Sequence, residues 1–123
     1  MKTGFEGELI LVFLDAPVDG KWFKTLHPFR YIAKDYKVYN VPAYTFTDFA
    51  SIPRGFRWMI SRVGKYGKAA VLHDYLCDLA NAGKFKRKDA DKIFLEAMKV
   101  LGVGWLKRNT MFLGVRSYSI FAG

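Results

Sequence analysis

The sequence predicts an α+β domain: a small N-terminal antiparallel sheet followed by three helices, the first two forming an antiparallel helical hairpin. Three observations lead there. Before Pro53, apolar residues alternate with polar ones and turn residues interrupt them often, as in short strands; after it, the apolar period becomes helical. The chain has 123 residues, 51% apolar and 17% aromatic, which fits one well-packed core. We therefore read 1–123 as a single domain, with 1–53 mainly β and loop and 54–123 mainly α.

Residues 5–14 place Phe5, Leu9, Leu11 and Phe13 on one parity, the pattern of a strand. Pro17, Asp19 and Gly20 predict a turn. Residues 21–33 predict one or two strands around Pro28, and Asp35-Tyr36 a further turn. Residues 37–47 predict an extended segment with Pro42 inside, hence an edge or a bulge. Arg54–Lys65 reads as a short helix or an aromatic loop. A helix follows over about 66–82, with Gly83 as its C-terminal cap residue. The second helix covers about 88–101, with Ala90, Phe94, Ala97, Met98 and Leu101 on its inner stripe and Gly102 as its stop. The third covers about 105–118, with Phe112 and Val115 as buried positions.

Composition narrows the function classes. Cys77 is the one cysteine, so neither an intrachain disulfide nor a Cys-based zinc site is expected. Acidic residues at Glu6 and Glu8 interrupt any secretory signal, and no apolar run reaches the length of a membrane span. The expectation is a protein that is not integral to a membrane, without a signal peptide. The net charge is +9, and it is unevenly placed. Basic and acidic residues balance six to six over 1–48 but stand at fourteen to five over 49–123. An anionic membrane surface, nucleic acid, an acidic partner or simple solubility would each account for that face.

The residues most able to do chemistry lie in the first two helices. His73 and Asp91 are equidistant from residue 82 at the hairpin turn, so antiparallel packing brings them to one level. A carboxylate on one imidazole nitrogen fixes the tautomer and raises the basicity of the other, as a general base requires. A His-Asp pair that merely satisfies itself in the core would show the same spacing. Asp74 points about 100° away from His73 around the helix. It is a candidate oxygen ligand for a hard cation such as calcium if the loop from Thr47 to Pro53, with Asp48 and Ser51, contributes as well. Alternatively Asp48 and Ser51 bond only their own backbone. Cys77, one turn from His73, reads as a buried inert thiol, and His27 as a strand or turn residue. Lys84, Lys86, Arg87 and Lys88 form a charged hairpin tip.

Three ordered stretches carry a resemblance: Val41 to Pro53, Ala69 to Leu76 and Ala90 to Met98. Together they resemble the short phage and prophage proteins called domain of unknown function 1353, whose pattern is V-P-x-G-F-x-T-D-x-A-S-I-P, A-x-x-H-D-x-L and A-D-x-x-F-x-x-A-M. Ala43 and Phe49 depart from it, standing where glycines are usual. The resemblance implies a phage virion or a host cytoplasm as the setting and other virion proteins as partners. A weaker similarity runs to small prokaryotic phospholipases of the A-two type. It implies His73 as base, Asp91 as its orienting carboxylate, and Asp48 and Asp74 as calcium ligands. Those enzymes are usually disulfide-braced, and this chain is not. The reading is thus a calcium-assisted His-Asp hydrolase of lipid esters. The rival is a non-catalytic virion component, a tail or neck subunit, held together by the same residues.

Overall fold

The structure is a computed structural model that describes residues 2–48 and 63–122. Six strands precede three helices: β1 (Gly4–Glu6), β2 (Leu11–Val18), β3 (Lys21–Thr25), β4 (Phe29–Ile32), β5 (Val38–Val41), β6 (Phe46–Thr47), α1 (Val63–Asn81), α2 (Arg87–Val100) and α3 (Trp105–Ala122). The α+β order is as expected, but the strands form two three-stranded sheets, ordered β1-β4-β5 and β2-β3-β6. Every pairing is antiparallel.

The expected first strand is broken in two because Gly7 takes φ +97°, and a Cβ there would meet Phe29 Cβ at 3.0 Å. A side chain would not fit, so the chain turns between β1 and β2. Pro17, expected in a turn, lies within β2 instead. It is tolerated there because β2 is an edge strand and its register is irregular between Phe13 and Val18. The turn itself is the pair Asp19-Gly20, with φ 50° and 79°, the two positive values that a tight hairpin needs. Pro42 interrupts the expected segment over 37–47, separating β5 from β6.

Thr25 holds that interruption in place. Its hydroxyl donates to Pro42 O at 3.2 Å and accepts from Thr45 N–H at 2.9 Å. Its backbone exchanges hydrogen bonds with Thr45 and Tyr44. The residues leading into β6 are therefore fixed before they reach helix α1, against which β6 packs.

α1 is the central element. Residues 69–74 are buried without interruption, the mark of a helix enclosed on several sides. Its buried residues share one core with Phe29, Tyr31 and Val41 of the first sheet and Phe94 and Met98 of α2. Both predicted glycine stops are observed. Gly83 N–H donates to Ala80 O and Lys84 N–H to Leu79 O; Gly102 N–H donates to Lys99 O and Val103 N–H to Met98 O. These paired bonds, with glycines at φ +77° and +79°, close each helix and free the chain to reverse. On α2 the predicted stripe is buried at Ala90, Phe94, Ala97 and Met98, and Asp91 joins it. Among the α3 side chains described, the buried position is Met111, one residue from the expected Phe112. Phe112 and Val115 are half-buried, since α3 packs on α2 alone among the helices with a broad contact. The segment 54–62, expected to be a helix or aromatic loop, lies outside the described residues, as do 49–53 of the loop after Asp48.

Candidate functional site

The short, cap-closed link between α1 and α2 sets the two helices antiparallel and in contact. That brings His73 Nε2 to 2.6 Å from Asp91 Oδ1. Both are enclosed: His73 is 2% exposed and Asp91 0%. A carboxylate so placed needs further partners, because burying it alone would be very costly. Arg116 of α3 supplies one, donating from Nη1 to Asp91 Oδ2 at 2.8 Å. Arg87, one turn before Asp91 on α2, brings Nε to 3.9 Å from Oδ1. Asp91 thus joins all three helices. Asp89, two residues away, is exposed.

The second nitrogen of His73 is in a different situation. Among the described residues its one neighbour of hydrogen-bonding type is the thiol of Cys77, with Sγ 3.8 Å from Nδ1 and 3.5 Å from Nε2. A sulfur on the lone-pair axis of Nδ1 would lie much farther from Nε2 than from Nδ1. Near-equidistance places it against the ring instead, so the thiol does not cap the lone pair. Phe94 covers the imidazole as well, with ring centroids 4.7 Å apart. Because Asp91 accepts from Nε2–H, Nδ1 is left as a bare acceptor among the described residues.

Cys77 itself is not a nucleophile. Burial pushes its thiol up to about 12, against a smaller lowering by Arg87, so the reactive thiolate is scarce at neutral pH. The ligand-type atoms of His73, Cys77 and Asp91 lie within 4.8 Å of one another. As a metal set they fit poorly: the nitrogen–oxygen distance is that of a hydrogen bond, and Arg116 places a cation on the same carboxylate. His27, exposed in the bend after β3, takes no part.

Asp74 makes a second buried junction. Its Oδ2 accepts from Thr47 Oγ1 at 2.5 Å and from Asp48 N–H at 2.9 Å, tying β6 and the residue after it to α1. Asp48 and Asp74 are therefore adjacent, joined through the backbone amide of Asp48. The described residues leave Asp74 Oδ1 as one open carboxylate oxygen, where a hard cation takes six to eight oxygens. That is a potential ligand and not a cage.

A family model described as protein of unknown function (DUF1353) matches residues 23–115, well over half of the chain. The chain belongs to the DUF1353 family. The DUF1353 match takes in the end of β3, β4 to β6, α1, α2 and most of α3, with Thr47, Asp48, His73, Asp74, Cys77 and Asp91 inside it. β1 and β2 precede it and Arg116 follows its last residue. No curated protein and no solved structure matches the chain.

Sequence reasoning paired His73 with Asp91 but missed Arg116, Arg87 and Thr47 as partners. Arg116 carried a readable signal: a lone cation inside the most apolar stretch of the chain needs a buried acid. Thr47 carried none, since its contact with Asp74 depends on how β6 meets α1.

Proposed function

We infer that this DUF1353 protein is a hydrolase of ester bonds, of lipid among other candidates, in which His73 is the general base. The single observation that carries this reading is the Nδ1 of a buried histidine, left without an in-line partner among the described residues, whose Nε2–H is held by a carboxylate. A histidine serving only the core normally has both nitrogens satisfied. In the reaction Nδ1 takes a proton from water as the water oxygen bonds to the ester carbonyl carbon and the carbonyl π pair moves to its oxygen. Collapse of that intermediate breaks the bond to the leaving alkoxide, which takes the proton back from Nδ1. Asp91 orients the imidazole and balances the imidazolium, and Arg116 and Arg87 keep Asp91 in position. Calcium, if bound, would be held by Asp48 and Asp74 and would supply charge stabilisation at the carbonyl oxygen.

The test is acid release from short-chain and vesicle phospholipids by the wild type and by His73→Gln, each with calcium and with chelator. Hydrolysis that is lost in His73→Gln supports the reading. Equal rates in both proteins, or none in either on any ester, would sink it. Loss on chelation assigns the ion; indifference to chelation removes calcium and leaves the dyad.

The 2% and 0% exposures of His73 and Asp91 favour a second reading, a non-catalytic virion component whose polar junctions hold the fold. It predicts that His73→Gln lowers the thermal midpoint by several degrees, and that the protein copurifies with particles without any esterase activity.

A further inference from the structure

We propose that the outer face of α3 docks on an anionic lipid bilayer, lying in its interface. Trp105, Leu106 and Leu113 are 68%, 71% and 63% exposed, the largest apolar exposures of any helix among the described residues. Leu106 and Leu113 are seven residues apart and so project within about 20° of each other, with Trp105 at the start of the same side. Two polar residues beside them each spend a donor on their own helix. Asn109 Nδ2 donates to Trp105 O and Thr110 Oγ1 to Leu106 O, each at 2.7 Å and each to the carbonyl one turn back. Folding a side chain onto its own helix in this way leaves a carbon-rich strip, suited to a medium that supplies no hydrogen bonds.

Charge selects the occupant. α3 carries Lys107, Arg108 and Arg116 and no acidic residue, and the chain carries +9. Of these, Lys107 lies beside the Leu106–Leu113 strip, Arg108 lies on the far side of the helix with Nη1 donating to Val103 O at 3.1 Å, and Arg116 is held by Asp91. A tryptophan and leucines exposed on a helix without acidic residues, in a chain of +9, suit an anionic surface. A second copy of the chain on this face would bring two chains of +9 together, which disfavours a homodimer. No helix among the described residues is long and apolar enough to cross a membrane, so α3 would lie on the bilayer. The choice of lipid as partner rests in part on the lipid-ester reading above.

The experiment uses the full chain with Trp22 and Trp58 changed to phenylalanine, which leaves Trp105 as the fluorescent reporter. It is mixed with vesicles of phosphatidylcholine, with or without phosphatidylglycerol. The expected result is a blue shift and quenching by brominated lipid with the anionic vesicles, weakened by salt. Leu106→Glu and Leu113→Glu should each weaken sedimentation with vesicles by about tenfold, with an unchanged far-ultraviolet spectrum showing that the fold survives. Absence of binding to anionic vesicles at low salt overturns the proposal. So does binding that is insensitive to both substitutions, or a dimer in solution that either substitution converts to monomer. Vesicle binding without hydrolysis of any ester keeps this proposal and removes the hydrolase. Hydrolysis of a soluble short-chain ester without vesicle binding does the reverse.

Discussion

The most informative single residue is Asp91, because one carboxylate buried at 0% exposure receives His73 on one oxygen and Arg116 on the other. Removing either donor leaves charge behind in the core. Arg116→Met should cost about 2–3 kcal/mol, read as a shift in denaturant midpoint. That is below the range for a wholly buried pair because Arg116 keeps a quarter of its side chain in solvent. A midpoint within error of the wild type would show that Asp91 does not depend on it. The His73–Asp91 pairing was legible from the sequence because both positions count back to one hairpin turn. That Arg116 needs a buried acid was readable too, but not which acid, because the rotation of α3 about its axis decides which side chains reach α2, and the weakly patterned α3 sequence does not fix that rotation. The same one-residue error moved the predicted buried position from Met111 to Phe112.

At the scale of elements, the junction of β6 with α1 rests on Asp74 and its two donors. Thr47→Val keeps the shape and removes the hydroxyl. The expected loss is about 1–3 kcal/mol, since Asp74 then lacks one of its buried donors. Chemical denaturation checks it, and a stability equal to or above the wild type would mean that Thr47 serves packing alone. The helices were readable nearly to their ends because Gly83 and Gly102 occupy positions where the backbone must turn left-handed. The sheet was less so. Alternation along residues 5–14 is the same whether one strand or two run through it, and the break depends on Gly7 meeting Phe29. That is a contact between distant parts of the chain. Nor does any local pattern tell that β3 and β4, joined by residues 26–28, belong to different sheets.

For the whole molecule, three groups make stability depend on pH in one direction. Burial raises Tyr31, helped by its hydrogen bond to Glu96. Burial raises Tyr39, with Asp35 and Glu96 adding to it, and burial pushes Cys77 up from 9.0 to about 12. Each folded value lies above the unfolded one, so the unfolded chain gives up protons first as pH rises. The stabilisation is complete below about pH 9 and falls progressively above it, first through Cys77 and then through the tyrosines. Denaturant midpoints taken from neutral pH upward should therefore decline from about pH 9, and Cys77→Ser should delay the onset. A flat profile would contradict the burial of these groups. Above all of this stands the claim that His73 holds its proton on Nε2 toward Asp91 and keeps a bare Nδ1. Nitrogen-15 NMR of the imidazole tests it most directly. The expected result is a proton on Nε2 toward Asp91 and an Nδ1 shift typical of an acceptor that receives no hydrogen bond. A proton on Nδ1, or an Nδ1 shift showing a strong donor on it, would contradict the account and leave the dyad to the fold alone.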